Sequence, residues 1–145
     1  MGKNFNGAQI SQSVTIVEKA GSAVDDIRNL IVKYDSDGAV VLATAGTDIP
    51  LGIAIIEAGY NDATGKESGK VAAGDDVDIQ IKDIGFVIAS AAIKKGQEVT
   101  ATTGGKAKAA AAGDYVLGVA LNTVASGGYS KVQIAKYQKA AVESK

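Results

Sequence analysis

Leu117-Gly118-Val119-Ala120-Leu121 has a twin in Leu51-Gly52-Ile53-Ala54-Ile55, and each twin ends a similar passage. Before the earlier one come Gly21-Ser22-Ala23-Val24, Leu30-Ile31-Val32-Lys33-Tyr34, the turn Asp35-Ser36-Asp37-Gly38, and Ala39-Val40-Val41-Leu42-Ala43. Before the later one come Ala89-Ser90-Ala91-Ala92, Glu98-Val99-Thr100-Ala101, the turn Thr103-Gly104-Gly105, and Lys106-Ala107-Lys108-Ala109. Asp48 and Asp114 stand equally far before the paired glycines. Counted from Ser22 and from Ser90, the copies differ by two residues in the length up to that glycine. The chain therefore reads as one small β unit written twice. Two copies are too few for a solenoid, so one domain with approximate internal two-fold symmetry is expected.

Glycine inside a strand pattern, as at Gly52 and Gly118, marks a bulge or a close approach of two backbones. Around these two glycines the other strands fall into place. Val14-Thr15-Ile16-Val17 is β-branched. Residues 30–34 and 39–43 flank a hairpin turn in which Gly38 supplies a positive φ. The only proline, Pro50, sits where the strand of residues 51–57 begins and a lost amide donor costs least. Val77-Asp78-Ile79-Gln80-Ile81 alternates and reads as half-buried. Phe86-Val87-Ile88-Ala89, the second hairpin, residues 115–121 and residues 131–135 complete about ten short strands separated by glycine turns. Residues 22–29, with Ser22 as N-cap, and residues 90–95, closed by Gly96, read as short helical turns. The fold class expected is all-β: a small β-barrel or β-tulip-like domain with an internal two-fold repeat. It would carry short helical turns and an extended N-terminal arm. Residues 1–13 form that arm, residues 14–137 the domain (halves 14–81 and 86–135), and residues 138–145 a loose tail. Phe5 and Ile10 are the candidate anchors of the arm on a partner. Residues 58–70 form the longest loop.

Composition narrows function. The 145 residues fit one domain. Hydrophobic residues make up 46% but aromatics only 5%, so the core is built from small side chains and contacts with other chains are expected to add stability. Net charge is −1, without a basic footprint for nucleic acid. No apolar run is long enough to cross a bilayer as a helix. The start, Met1-Gly2-Lys3-Asn4-Phe5-Asn6, lacks the apolar core of a signal peptide, and a soluble chain folded in the cytosol is expected.

The chain has neither histidine nor cysteine, which removes the usual nucleophile–base pairs and all thiol chemistry. The carboxylate pairs Asp25-Asp26 and Asp75-Asp76 read as solvated turns, because acid–base work needs carboxylates in a pocket. Asp35-Ser36-Asp37-Gly38 starts like a calcium loop but lacks the later ligands. Gly104-Gly105-Lys106 lacks the first glycine of a phosphate loop, and Ala107 stands where Ser or Thr is needed. No enzyme, no cofactor and no metal site is expected.

The second repeat carries a resemblance. Ala89-Ser90-Ala91-Ala92-Ile93-Lys94-Lys95-Gly96-Gln97-Glu98-Val99, Gly105-Lys106-Ala107, and Gly113-Asp114-Tyr115-Val116-Leu117-Gly118-Val119-Ala120-Leu121 together resemble the capsid decoration, or cement, proteins of tailed bacteriophages. Asp37-Gly38-Ala39-Val40-Val41 and Leu51-Gly52-Ile53-Ala54 repeat the pattern, and the resemblance spans residues 14–134. The charged Asp25-Asp26-Ile27-Arg28 and the long loop depart from it. The resemblance implies a virion protein on the outer capsid surface, made in the host cytoplasm. Its partners would be the major capsid protein and, in a homotrimer, itself; neither nucleic acid nor a membrane is implied. Two other readings stand beside it. One is a virion- or cell-surface adhesion or glycan-binding module, with Tyr60-Asn61-Asp62 as its only candidate site. The other is a tail or baseplate subunit.

Overall fold

The computed structural model describes residues 13–55 and 69–141. The expected arm up to residue 12, with Phe5 and Ile10, lies outside the described residues. So do residues 56–68, with Tyr60-Asn61-Asp62, and residues 142–145. Ten strands are formed by the described residues: β1 (Thr15–Lys19), β2 (Ile31–Tyr34), β3 (Val40–Leu42), β4 (Gly52–Ala54), β5 (Asp76–Gln80), β6 (Ile84–Ile88), β7 (Glu98–Ala101), β8 (Ala107–Ala109), β9 (Tyr115–Ala120) and β10 (Tyr129–Gln138). They make two antiparallel five-stranded sheets, ordered β1-β5-β4-β2-β3 and β6-β10-β9-β7-β8. Advancing every strand number in the first order by five gives the second, so the repeat in the sequence is a repeat in topology.

The correspondence reaches individual hydrogen bonds. Val32 pairs with Gly52 in the first sheet, and Val99 with Gly118 in the second. Parallel bridges join Ala20 to Val40 and Ala89 to Ala107; antiparallel bridges join Val24 to Val71 and Ile93 to Val124. Gly21 N–H donates to Val40 and Ser90 N–H to Ala107, both at 2.8 Å. Ser90 thus corresponds to Gly21 rather than to Ser22, and the repeats differ by three residues over this stretch instead of two.

The expected helical turns are absent. Residues 22–29 send their amides to distant carbonyls: Val24 to Val71 at 2.9 Å, Ile27 to Gly69 at 3.0 Å and Asn29 to Ala54 at 2.8 Å. Residues 90–95 do the same through Ile93, which bonds Val124 at 3.0 Å. Cross-strand partners satisfy the donors that a helix would have used. The only helical element among the described residues is the 3₁₀ turn Thr103–Gly105. Nor do the sheets close into a barrel, since β1, β3, β6 and β8 remain edge strands.

Each sheet wraps its own core. Ala20, Ile27, Val32, Val40, Ala54, Val71, Val77 and Ile79 pack within the first. Val87, Ala89, Ile93, Val99, Leu117 and Val132 pack within the second, joined by Ile31, Ala43 and Ile53 from the first. Those three side chains fasten the sheets together. Gln80 breaks the expected alternation by being buried; its amide donates to the carbonyls of Lys82 and Ile84, both at 2.9 Å, and so tethers the link between the repeats.

Candidate interaction surface

The carboxylates singled out in the sequence serve the fold. Asp35 accepts the amides of Asp37 and Ala39 at 2.9 Å and shapes the first hairpin. Asp75 accepts the Ala72 amide at 2.9 Å, and Asp76 pairs with Lys19 at 2.5 Å. Both Asp26 oxygens meet Arg28, at 2.8 and 2.7 Å. Asp25 is exposed. These groups are scattered over turns, and no cluster of three or more Asp or Glu capable of holding a metal occurs among the described residues.

Asp48 is the most strongly held. It accepts the amide of Thr44 at 2.8 Å, the amide of Ala45 at 3.2 Å and the Lys33 ammonium at 2.8 Å. Burial alone would push its carboxyl up; Lys33 and the Thr44 donors outweigh that and hold it down at about 2. Its repeat counterpart Asp114 closes the same turn, accepting the Ala111 amide at 2.8 Å, but no lysine among the described residues pairs with it as Lys33 does with Asp48.

The Asp48 turn projects Ile49 into solvent, where it is 67% exposed. Pro50 lies buried behind it and forms one wall of an open groove of about 550 Å³. Lys33, Tyr34, Leu51 and Lys136 line the rest, and a second depression continues the groove past Tyr115 to Tyr137. Lys136 reaches across from the second sheet to the Leu51 carbonyl at 2.9 Å. Tyr34 donates to Glu18 at 2.8 Å and Tyr137 to Glu98 at 2.5 Å, so each carboxylate raises the pKa of its phenol. Two tyrosines with fixed hydroxyls beside an exposed isoleucine make an apolar surface rimmed by charge. That suits contact with another protein better than chemistry on a small molecule.

A second feature escaped the reading of the sequence. In the first repeat, residues 14–81, twelve carboxylates face five cations, a net of −7. Residues 82–141 hold eight cations and three carboxylates, a net of +5. The whole-chain charge of −1 conceals this division, and summing charge over each repeat would have revealed it.

Residues 3–138 match the family described as structural cement protein (E217 gp24/Pam3 gp6). The chain belongs to this phage cement family. Members are structural phage proteins, so a structural role in the capsid and a place in the virion apply to this chain at that level. The head fiber gp8.5 N base of bacteriophage phi29 shares the fold, with a TM-score of 0.58 and 23% identity. That match covers 84% of this cement protein and 93% of the phi29 chain. No curated protein matches by sequence. Among the described residues of the cement protein, no helix is long and apolar enough to cross a membrane.

Proposed function

We propose that this cement protein binds the outer surface of the expanded capsid as a homotrimer, bridges neighbouring major capsid subunits and opposes their separation under the pressure of packaged DNA. The observation that carries this reading is the family match over residues 3–138. The fold shared with a head-fiber base supports a place on the head. The scattering of the carboxylates over turns accords with a role without catalysis. Physically, a clip resists rupture by touching more than one capsid subunit. Three weak feet acting together exceed the affinity of one by a factor of ~10²–10⁴.

The Ile49 groove is the candidate foot, and residues 1–13, with Phe5 and Ile10, are a second attachment that can add backbone pairing to a capsid strand. Deleting residues 1–13, or changing Ile49→Asp, is expected to weaken binding to undecorated expanded heads at least ten-fold while the far-ultraviolet spectrum stays that of the parent. Equal retention of both variants and parent on sedimented heads would remove these two attachments from the account.

A further inference from the structure

The two sheets of one chain meet in a one-way fashion. The Asn29 carbonyl accepts the Ile88 amide at 3.0 Å, and the Asn29 side-chain amide donates to the Phe86 carbonyl at 3.1 Å. Ala43 and Gly46 accept the amides of Gly105 and Tyr115 at 2.8 and 2.7 Å. None of these contacts is returned with the repeats exchanged. The counterpart of Asn29 is Gly96: both have positive φ, and both donate their amides to matching alanines, Ala54 and Ala120. The counterparts of Phe86 and Ile88 are Val17 and Lys19, fixed by the bridges at Ala20 and Ala89. A contact between unlike faces of like units is heterologous, and such contacts leave one face of each kind unused at the ends.

Among the described residues, nothing covers those faces. Ala20 donates to Asp75 and Ile81 to Val14, so alternate residues of β1 face β5, while the amides and carbonyls of Thr15, Val17 and Lys19 point away from the sheet. In β6 the same outward positions are Ile84, Phe86 and Ile88; Asn29 covers the last two, and the Gln80 side chain takes the Ile84 carbonyl. Phe86 is 5% exposed, whereas Val17 is 56% exposed. At the other end, Gly96 is exposed between Lys94, Lys95 and Gln97. The outer β1 edge belongs to residues 14–81, of net charge −7, and the Gly96 corner to residues 82–141, of net charge +5. Shape and charge both favour joining these two ends.

We propose that a second copy of this chain docks on the outer edge of β1, its Gly96 corner taking there the place that Asn29 takes on β6. Ala110 is the counterpart of Ala43, since its amide bonds Glu98 as that of Ala43 bonds Ile31; the Lys139 ammonium already holds the Ala110 carbonyl at 3.3 Å, so the contact between copies is narrower than the one within a chain. Repeated head to tail, the junction closes into a ring or grows into a filament. In a ring of three copies, six sheets would alternate in charge. This deepens the self-association of the preceding reading and rests on it, but its test uses purified protein without heads. A failure here therefore leaves capsid binding standing.

The test is light scattering on the parent, on Val17→Arg, and on the double variant Lys94→Glu with Lys95→Glu. The parent is expected to run as an oligomer at low salt and to lose mass as salt rises. Each variant is expected to be a folded monomer. An equimolar mixture of the two is expected to form dimers, because one intact edge and one intact corner remain to meet. A parent that is monomeric at every concentration, or variants that keep the parent's mass, would overturn the proposal. The lysine variant alters an exposed corner and so guards against a loss of mass caused by misfolding at Val17.

Discussion

Asp48 shows how one side chain can set the acid sensitivity of the surface around it. Its carboxyl is held at about 2, below the ordinary value, so its ionised form stabilises the folded chain. That contribution is complete above the unfolded value of about 3.9 and is lost as pH falls through that value towards about 2. Asp48→Asn is expected to lower the melting temperature at pH 7 and to flatten its fall between pH 4 and 2. The loss of the charge-assisted bonds to Lys33 and Thr44 is expected to cost about 1–2 kcal/mol. Parallel pH–melting curves for variant and parent would show that the turn around Ile49 does not depend on this carboxylate. Nothing in the sequence separated Asp48 from Asp114 by strength of binding; Lys33, which makes the difference, is fifteen positions away on β2.

Among the elements, β4 and β9 are the pair on which the repeat turns. A Cβ at Gly52 would lie 2.2 Å from the Gln80 carbonyl oxygen, and one at Gly118 would lie 2.0 Å from that of Gln133. Both obstacles are backbone in the neighbouring strand and cannot swing aside. Gly52→Ala and Gly118→Ala are each expected to destabilise the protein by about 3 kcal/mol or more. Gly38→Ala, in open space at φ 81°, is expected to cost only about 1 kcal/mol. Equal denaturation midpoints for the three variants would contradict the close approach. The two strand glycines were legible because LGIAI and LGVAL place them identically, and the ten strands followed from β-branched runs and glycine turns. The helical turn expected at residues 22–29 does not form because the N-cap signal of Ser22 is local, whereas Val24 and Ile27 are bound by the distant Val71 and Gly69. Local propensity yields there to pairing that a single window of sequence does not display. Closure of the sheets differs from expectation for a related reason: individual strands are legible locally, while strand order and edges are properties of the whole.

At the scale of the molecule, two copies of one sheet are joined by a contact that only one of them completes. Charge follows the same division, −7 over residues 14–81 and +5 over residues 82–141. Composition totals hid it by cancellation, as they hid the groove at Ile49, which needs Lys136 and Tyr137 from the far end of the chain. Two unlike ends and an apolar groove are the features that the proposed role, several copies on a capsid, would use. The measurement that bears most directly on this is co-sedimentation of the purified protein with undecorated, expanded heads of its phage, followed by heating of the decorated and bare particles. The account predicts saturable binding at a fixed ratio to capsid subunits, and heads that survive to a higher temperature once decorated. A correctly folded protein that stays in the supernatant, or one that binds and leaves the rupture temperature unchanged, would contradict it.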